Sequence, residues 1–470
     1  MKRQWITAGV ICICLVILGA VWLILGKSDS TDGEKAEIEI AVWNNGETIQ
    51  EIQTENDQGG YILRWNEEKA EVKGMEDLPL DESVTEEIRE NIESLTADQE
   101  VEDGMERLED FGLENPKAQV QITNEKGDHI SILVGDEVPG ENGELRYILR
   151  ENQVLIVKSS QIEELLYGGS NLLSRDLTPE YTDSEENFLI TRIAIEQDEG
   201  DDLILEYENS QELAGYTVNS YQMVSPRNYP ADSGVTEDVF PDLFGIEADS
   251  VAVVHPSEEG KEAAGLARPW KTLQVEYTDG SGEEQTFSLK VSRPENGMVN
   301  VMTGETDVIY ACGREKLPWL EETENSLVSH TVLAADIKTI EKLEITAGAE
   351  QYVFQLQNVG TEEESIIYEG KEIEGDSFRS FYYILAGLSA DEVLFADFPD
   401  TSSLAEEVRV CYHYQDGTED VLSCYKEDSR QIYVELNQGE RGFRLSASQV
   451  ETMVDTVKRL ASGEEITARY

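Results

Sequence analysis

Phe111-Gly112-Leu113-Glu114-Asn115-Pro116 returns, altered but in register, as Ala264-Gly265-Leu266-Ala267-Arg268-Pro269. In both, a Gly-Leu-x-x-Pro turn opens an alternating strand. The first strand carries Ala118, Val120 and Ile122; the second carries Leu273, Val275 and Tyr277. Alternation at period two places such residues on one face of a sheet. A third stretch has lost the proline, yet Val408, Val410 and Tyr412 alternate in the same way. Each strand then meets a turn rich in Gly and Asp: Lys126-Gly127-Asp128, Asp279-Gly280 and Asp416-Gly417. These are hairpin signals. The return strands are Ile130–Val134, Phe287–Val291 and Val421–Tyr425, and a further strand follows each: Tyr147–Leu149, Val299–Met302 and Ile432–Val434.

Working outward, an amphipathic segment precedes each of these meanders. Its apolar positions are Val84, Ile88, Ile92 and Leu95, then Val235, Val239, Phe240 and Leu243, then Phe378, Phe381, Tyr382, Leu385 and Leu388. Spacings of three and four predict one helical face. Ser83 with Glu86 fits a capping box at the first of them. An Ala-Asp pair follows each helix: Ala97-Asp98, Ala248-Asp249 and Ala390-Asp391. A closing helix is expected at Ile162, Leu165 and Leu166, at Leu317 and Leu320, and at Val450 to Leu460. The predicted fold class is therefore α+β, with three similar domains, each an antiparallel β-meander with helices, at 36–186, 187–335 and 336–470.

Trp5 to Leu25 form an apolar run long enough, at about 31 Å as a helix, to cross a bilayer. Lys2 and Arg3 precede it, and Asp29, Asp32 and Glu34 follow. The positive-inside rule then predicts a cytoplasmic 1–4, a transmembrane anchor at 5–25, a linker at 26–35 and an extracytoplasmic body. A cleaved signal peptide would have a shorter core and a small-x-small site, whereas Leu18-Gly19-Ala20 has Leu where a small residue is needed. With 36 basic and 98 acidic residues among 470, the net charge is −62. Such a surface repels phosphate backbones, so a nucleic-acid partner is excluded. Cys312, Cys411 and Cys424 are too few for a disulfide scaffold. Cys411 and Cys424 flank the turn at Asp416-Gly417 and could face each other across it. The chain has no Asn-x-Ser/Thr site, which points to a bacterial cell surface.

The segment from Phe111 to Asp136, continued by Tyr147 to Val157, resembles the bacterial DUF4340 family. Gly112, Leu113, Pro116, Gly135, Asp136, Tyr147 and Ser159 carry the resemblance. It covers copy one well, copy two in part and copy three faintly. Copy two has Val291-Ser292-Arg293-Pro294 in place of the Gly-Asp. The resemblance implies a membrane-anchored protein with its repeated domain outside, in some members associated with components of a gliding-motility-type ABC transporter. It implies no catalytic residue.

The residues themselves point to no reaction. His129, His255, His330 and His413 are isolated, without the spacing of a helical metal pair. No nucleophile elbow or phosphate-binding Gly loop occurs. Acidic runs such as Asp198 to Asp202 and Glu362 to Glu364 lack the spacing of a calcium loop. No cofactor or resident metal is expected. Gly215 to Gly234 departs from the repeat, with Tyr216, Tyr221, Arg227 and Tyr229 on a Pro-containing segment. Aromatics with an Arg suit recognition of a partner or sugar; packing on the following helix is the competing account of the same rings. Tyr61 and Trp65 hold the matching place in copy one. The expected function is a non-enzymatic, single-pass surface module for interaction, accessory to an ABC-type transporter. A cell-wall polysaccharide-binding or -modifying protein and a structural spacer are the alternatives.

Overall fold

The computed structural model describes residues 40–467, apart from 44–47, 67–68, 182–186, 209–219, 397 and 440. The expected transmembrane anchor at 5–25 lies outside the described residues. Among the described residues, no helix is long and apolar enough to cross a membrane. The chain divides into two compact units, residues 1–173 and 174–470.

Three antiparallel sheets of nine strands make up most of the regular secondary structure of the described residues, with few helices. The first sheet, across its width, runs Lys69–Val72, Tyr61–Asn66, Ile49–Asn56, Ala118–Asn124, His129–Glu137, Leu145–Arg150, Gln153–Lys158, Thr96–Glu100 and Ile40–Ala41. In the second the order is Tyr229–Pro230, Tyr221–Ser225, Leu203–Tyr207, Leu189–Gln197, Lys271–Thr278, Glu284–Val291, Met298–Thr303, Val308–Gly313 and Ser250–Val254. The third repeats it with Lys371–Glu372, Ser365–Tyr368, Glu350–Gln357, Ile340–Ala347, Glu406–Tyr414, Glu419–Lys426, Gln431–Leu436, Arg441–Ser446 and Glu392–Leu394. One topology recurs three times. The opening hairpin lies beside the first meander strand, and the short strand after the helical segment crosses to the far edge.

The Ala-Asp pairs mark that far edge. A preceding strap of chain meets each: Ile40 opposite Ala97, the Ala248 amide donating to the Arg175 carbonyl, and the Ala390 amide donating to the His330 carbonyl. The three alanines are buried. A larger side chain there would separate strap from edge.

In the first unit the core lies between the sheet and the helix Glu82–Glu93. Ile88 and Ile92 of the helix pack with Ile52, Leu63, Trp65, Val120 and Leu155. Its N-cap is Asp81, which accepts from the Ser83 and Val84 amides, so the cap sits two residues before the expected Ser83. A second small cluster covers the opposite face, where Phe111 and Leu113 pack on Val154, Leu133 and Tyr147. Here the Gly-Leu-x-x-Pro turn clasps the sheet. Gly112 is left-handed (φ 67°), and Gly135 lies so near the Phe111 carbonyl that a Cβ would stand 2.3 Å from its oxygen.

The first helix of copy one forms as expected, whereas its closing helix and both helices of copy two do not. The predicted helix from Val235 is a π turn at Val235–Val239 followed by a 3-10 turn at Pro241–Leu243. Pro241 has no amide for an α-helical ladder, and Val235, Thr236 and Val239 are β-branched. The closing helix of copy one is three 3-10 turns between Ser159 and Leu172, and in copy two Pro318 begins another 3-10 turn. Copy three keeps both, as Gly375–Ala386 and Ala447–Ala461. Cys411 and Cys424 are free thiols. Cys411 stands opposite Val421 and Cys424 opposite Val408, which places the two cysteines on opposite faces of the sheet.

Candidate functional site

The segment singled out in copy two serves mainly as an internal support. Tyr216 lies outside the described residues. Tyr221 is buried, donates its hydroxyl to the Ile190 carbonyl at 2.8 Å, and meets Phe240 edge-on with ring centroids 4.8 Å apart. Burial pushes its phenol above the ordinary value. Tyr229, also buried, packs edge-on against Phe395, and the Arg441 guanidinium stands 4.6 Å above its ring. Arg227 pairs with Glu324, donates to the Phe395 carbonyl and stacks 4.6 Å from the Phe395 ring. Tyr229 and Arg227 thus join the second sheet to the third. Asn325 strengthens the join by accepting from the Val393 amide at 2.9 Å.

Beside this join is a cleft of about 410 Å³ whose lining includes Pro226, Trp270, Lys271, Arg314, Asp201 and Glu322. Its unusual member is Lys271, which is only 6% exposed. The ammonium donates to the Leu320 carbonyl at 2.8 Å and lies 5.4 Å from the centre of the Trp270 ring. Among the described residues no carboxylate forms an ion pair with it. Burial lowers its pKa, and Glu321 and Glu322 oppose that shift.

Internal comparison shows how far this site departs from the shared fold. Lys271 faces Val291 across the meander; the same register position holds Ala118 facing Val134 in copy one and Val408 facing Cys424 in copy three. Both of those residues are buried and apolar. One residue earlier, copy one has Lys117 paired with Asp136 and copy three has Glu407 paired with Lys426. Copy two replaces that cross-strand ion pair with Trp270 and Arg293. Two adjacent positions therefore change chemistry in one sheet, and both changes line the cleft or its wall. The signal was present in the sequence: Lys271 continues the alternation of Leu273, Val275 and Tyr277 onto the core face.

A family model described as a domain of unknown function, DUF4340, matches twice, over residues 71–269 and 221–407. The chain belongs to the DUF4340 family. Two overlapping matches agree with a repeated domain. No curated protein and no solved structure matches the chain. Gly112, Leu113 and Gly135, within the first matched range, are residues of the clasp on the back of the first sheet. In copy two of this DUF4340 chain Ser292 stands in the place of Gly135, and a Cβ on Gly265 would meet its Cβ at 3.3 Å.

Several of the other polar candidates have internal partners. Asp198 and Glu199 pair with Arg293, and Glu364 pairs with Arg379. The two ring nitrogens of His330 each lie 2.8 Å from a carbonyl oxygen, those of Ala390 and Asn325. His413 lies between Glu344 and Glu419. Among the described residues, no group of three His, Cys, Asp or Glu side chains is placed to hold a metal ion.

Proposed function

We propose that this chain is a recognition module without a catalytic step, held at the outer face of a bacterial membrane by residues 5–25. Its second sheet carries the recognition cleft. The observation that supports this reading is Lys271, a buried lysine that lines an open cleft and donates to the Leu320 carbonyl. Burying a charge without a partner is costly. The sister sheets avoid that cost with Ala118 and Val408. Copy two retains the charge where a ligand can reach it, and a ligand that supplies a counter-charge offsets the desolvation. The resemblance to transporter-associated proteins supports an accessory role beside an ABC-type transporter. Trp270, half-exposed at the same cleft, favours a wall-derived ligand as the second reading.

The test compares full-length protein with its Lys271→Met variant, each isolated from the native membrane in mild detergent and analysed by native mass spectrometry. A molecule or transporter subunit bound to the wild type and lost from the variant is the expected result. Identical spectra from the two would overturn the assignment of the cleft.

A further inference from the structure

The charges of the cleft, sorted by what each already holds, point to a class of ligand. Arg314 is paired with Glu321, Arg227 with Glu324, and Glu199 with Arg293. Among the described residues, three charged groups remain on the lining without an ion pair: the buried Lys271 ammonium, and the more exposed Asp201 and Glu322. Glu322 accepts only from the Ser326 hydroxyl. A simple anion at Lys271 would share the cleft with these two carboxylates. A simple cation attracted by the carboxylates would leave Lys271 without a counter-charge. A neutral sugar could satisfy hydrogen bonds but would supply no charge to a desolvated ammonium. A molecule carrying a carboxylate and ammonium groups a few bonds apart satisfies all three. The near-complete burial of Lys271 admits only a small end group, and a carboxylate is one. The volume of about 410 Å³ falls in the range of small-ligand sites.

Resting on the recognition reading above, we propose that the cleft of the second sheet binds a small zwitterion of the peptide class. Its terminal carboxylate meets the Lys271 ammonium, and its ammonium groups meet Asp201 and Glu322. Trp270 forms the apolar wall against the intervening carbon chain.

The experiment is isothermal titration of the full-length protein in detergent with lysyl-alanine, with its C-terminal amide, and with chitotriose as the sugar probe. The free acid is expected to bind about tenfold or more tightly than the amide, since the amide removes the charge that Lys271 lacks. In the Lys271→Met variant that difference should vanish. Asp201→Asn combined with Glu322→Gln should weaken the free acid while leaving the fold intact by circular dichroism. Equal affinity for acid and amide would overturn the zwitterion assignment. Chitotriose binding that depends on Lys271, without dipeptide binding, would overturn the ligand class and leave the recognition cleft standing. No Lys271-dependent binding of any probe would overturn both.

Discussion

Gly135 lies directly beneath the carbonyl of Phe111, and a single added methyl group would stand 2.3 Å from that oxygen. This approach locks the turn at 111–116 onto the back of the first sheet, where Phe111 and Leu113 cover Val154. Gly135→Ala should therefore destabilise the first unit by about 1–3 kcal/mol, as overpacking does. Asp136, next in the motif, forms only a half-exposed pair with Lys117 at 3.6 Å. Asp136→Asn should cost at most about 1 kcal/mol. Hydrogen exchange over residues 111–136 distinguishes the two. Comparable loss of protection in both would contradict the role given to the glycine.

Lys271→Met should raise stability, by about 1–3 kcal/mol, because it replaces a desolvated charge with the kind of side chain the sister sheets use. The pH dependence has a definite sign. Burial lowers the pKa of Lys271 in the folded state below its ordinary 10.5, so the unfolded chain binds the proton more tightly. Wild-type stability relative to the variant therefore improves as pH rises from the lowered pKa towards 10.5. Thermal melts of the pair across that window should show the gap narrowing, and a widening gap would count against the burial of the ammonium.

Arg227 and Tyr229 couple the second sheet to the third through Phe395. Tyr229→Ala removes a buried ring and should cost about 3–5 kcal/mol, while Arg227→Ala should cost about 1–3 kcal/mol. Both should increase hydrogen exchange at Val393 and around Arg441 while leaving residues 40–173 unchanged. If neither alters exchange in the third sheet, the join is not held by these two side chains.

The thiols should label in order of exposure. Burial pushes Cys312 up to about 11 and Cys424 up to about 12, so neither supplies thiolate at neutral pH. Cys411 is half-exposed. Among the three, iodoacetamide should modify Cys411 first and the other two only on unfolding. Recovery of a Cys411–Cys424 disulfide from non-reduced peptide maps would contradict their placement on opposite faces.

The meanders were legible in the sequence because period-two alternation and Gly-Asp turns are local signals. The threefold recurrence was legible because the Gly-Leu-x-x-Pro turn and the Ala-Asp pairs hold register. The first helix of copy one was legible, but its closing helix and both helices of copy two are 3-10 or π turns. Apolar spacing of three to four is shared by α, 3-10 and π turns, and Pro241 and Pro318 decide against the α form. The cleft was missed for a different reason. Lys271 is ordinary as a surface residue and unusual only as a core residue, and its place in the core is clear only when Ala118 and Val408 are set beside it. Of the two accounts of the aromatic segment, packing describes Tyr221, which meets Phe240, while Tyr229 and Arg227 pack on Phe395 instead. What a residue faces across sheets distant in sequence is a tertiary property, which no local pattern encodes.

The strap that meets each Ala-Asp edge has an evolutionary consequence. In each sheet the residues before the first long strand hold the chain at the Ala-Asp pair: Ile40, Arg175 and His330 against Ala97, Ala248 and Ala390. A gene segment that carries a whole sheet with its anchor must therefore begin at or before the strap. Tandem duplication from that point would carry each sheet together with the chain that anchors the approach to its far strand.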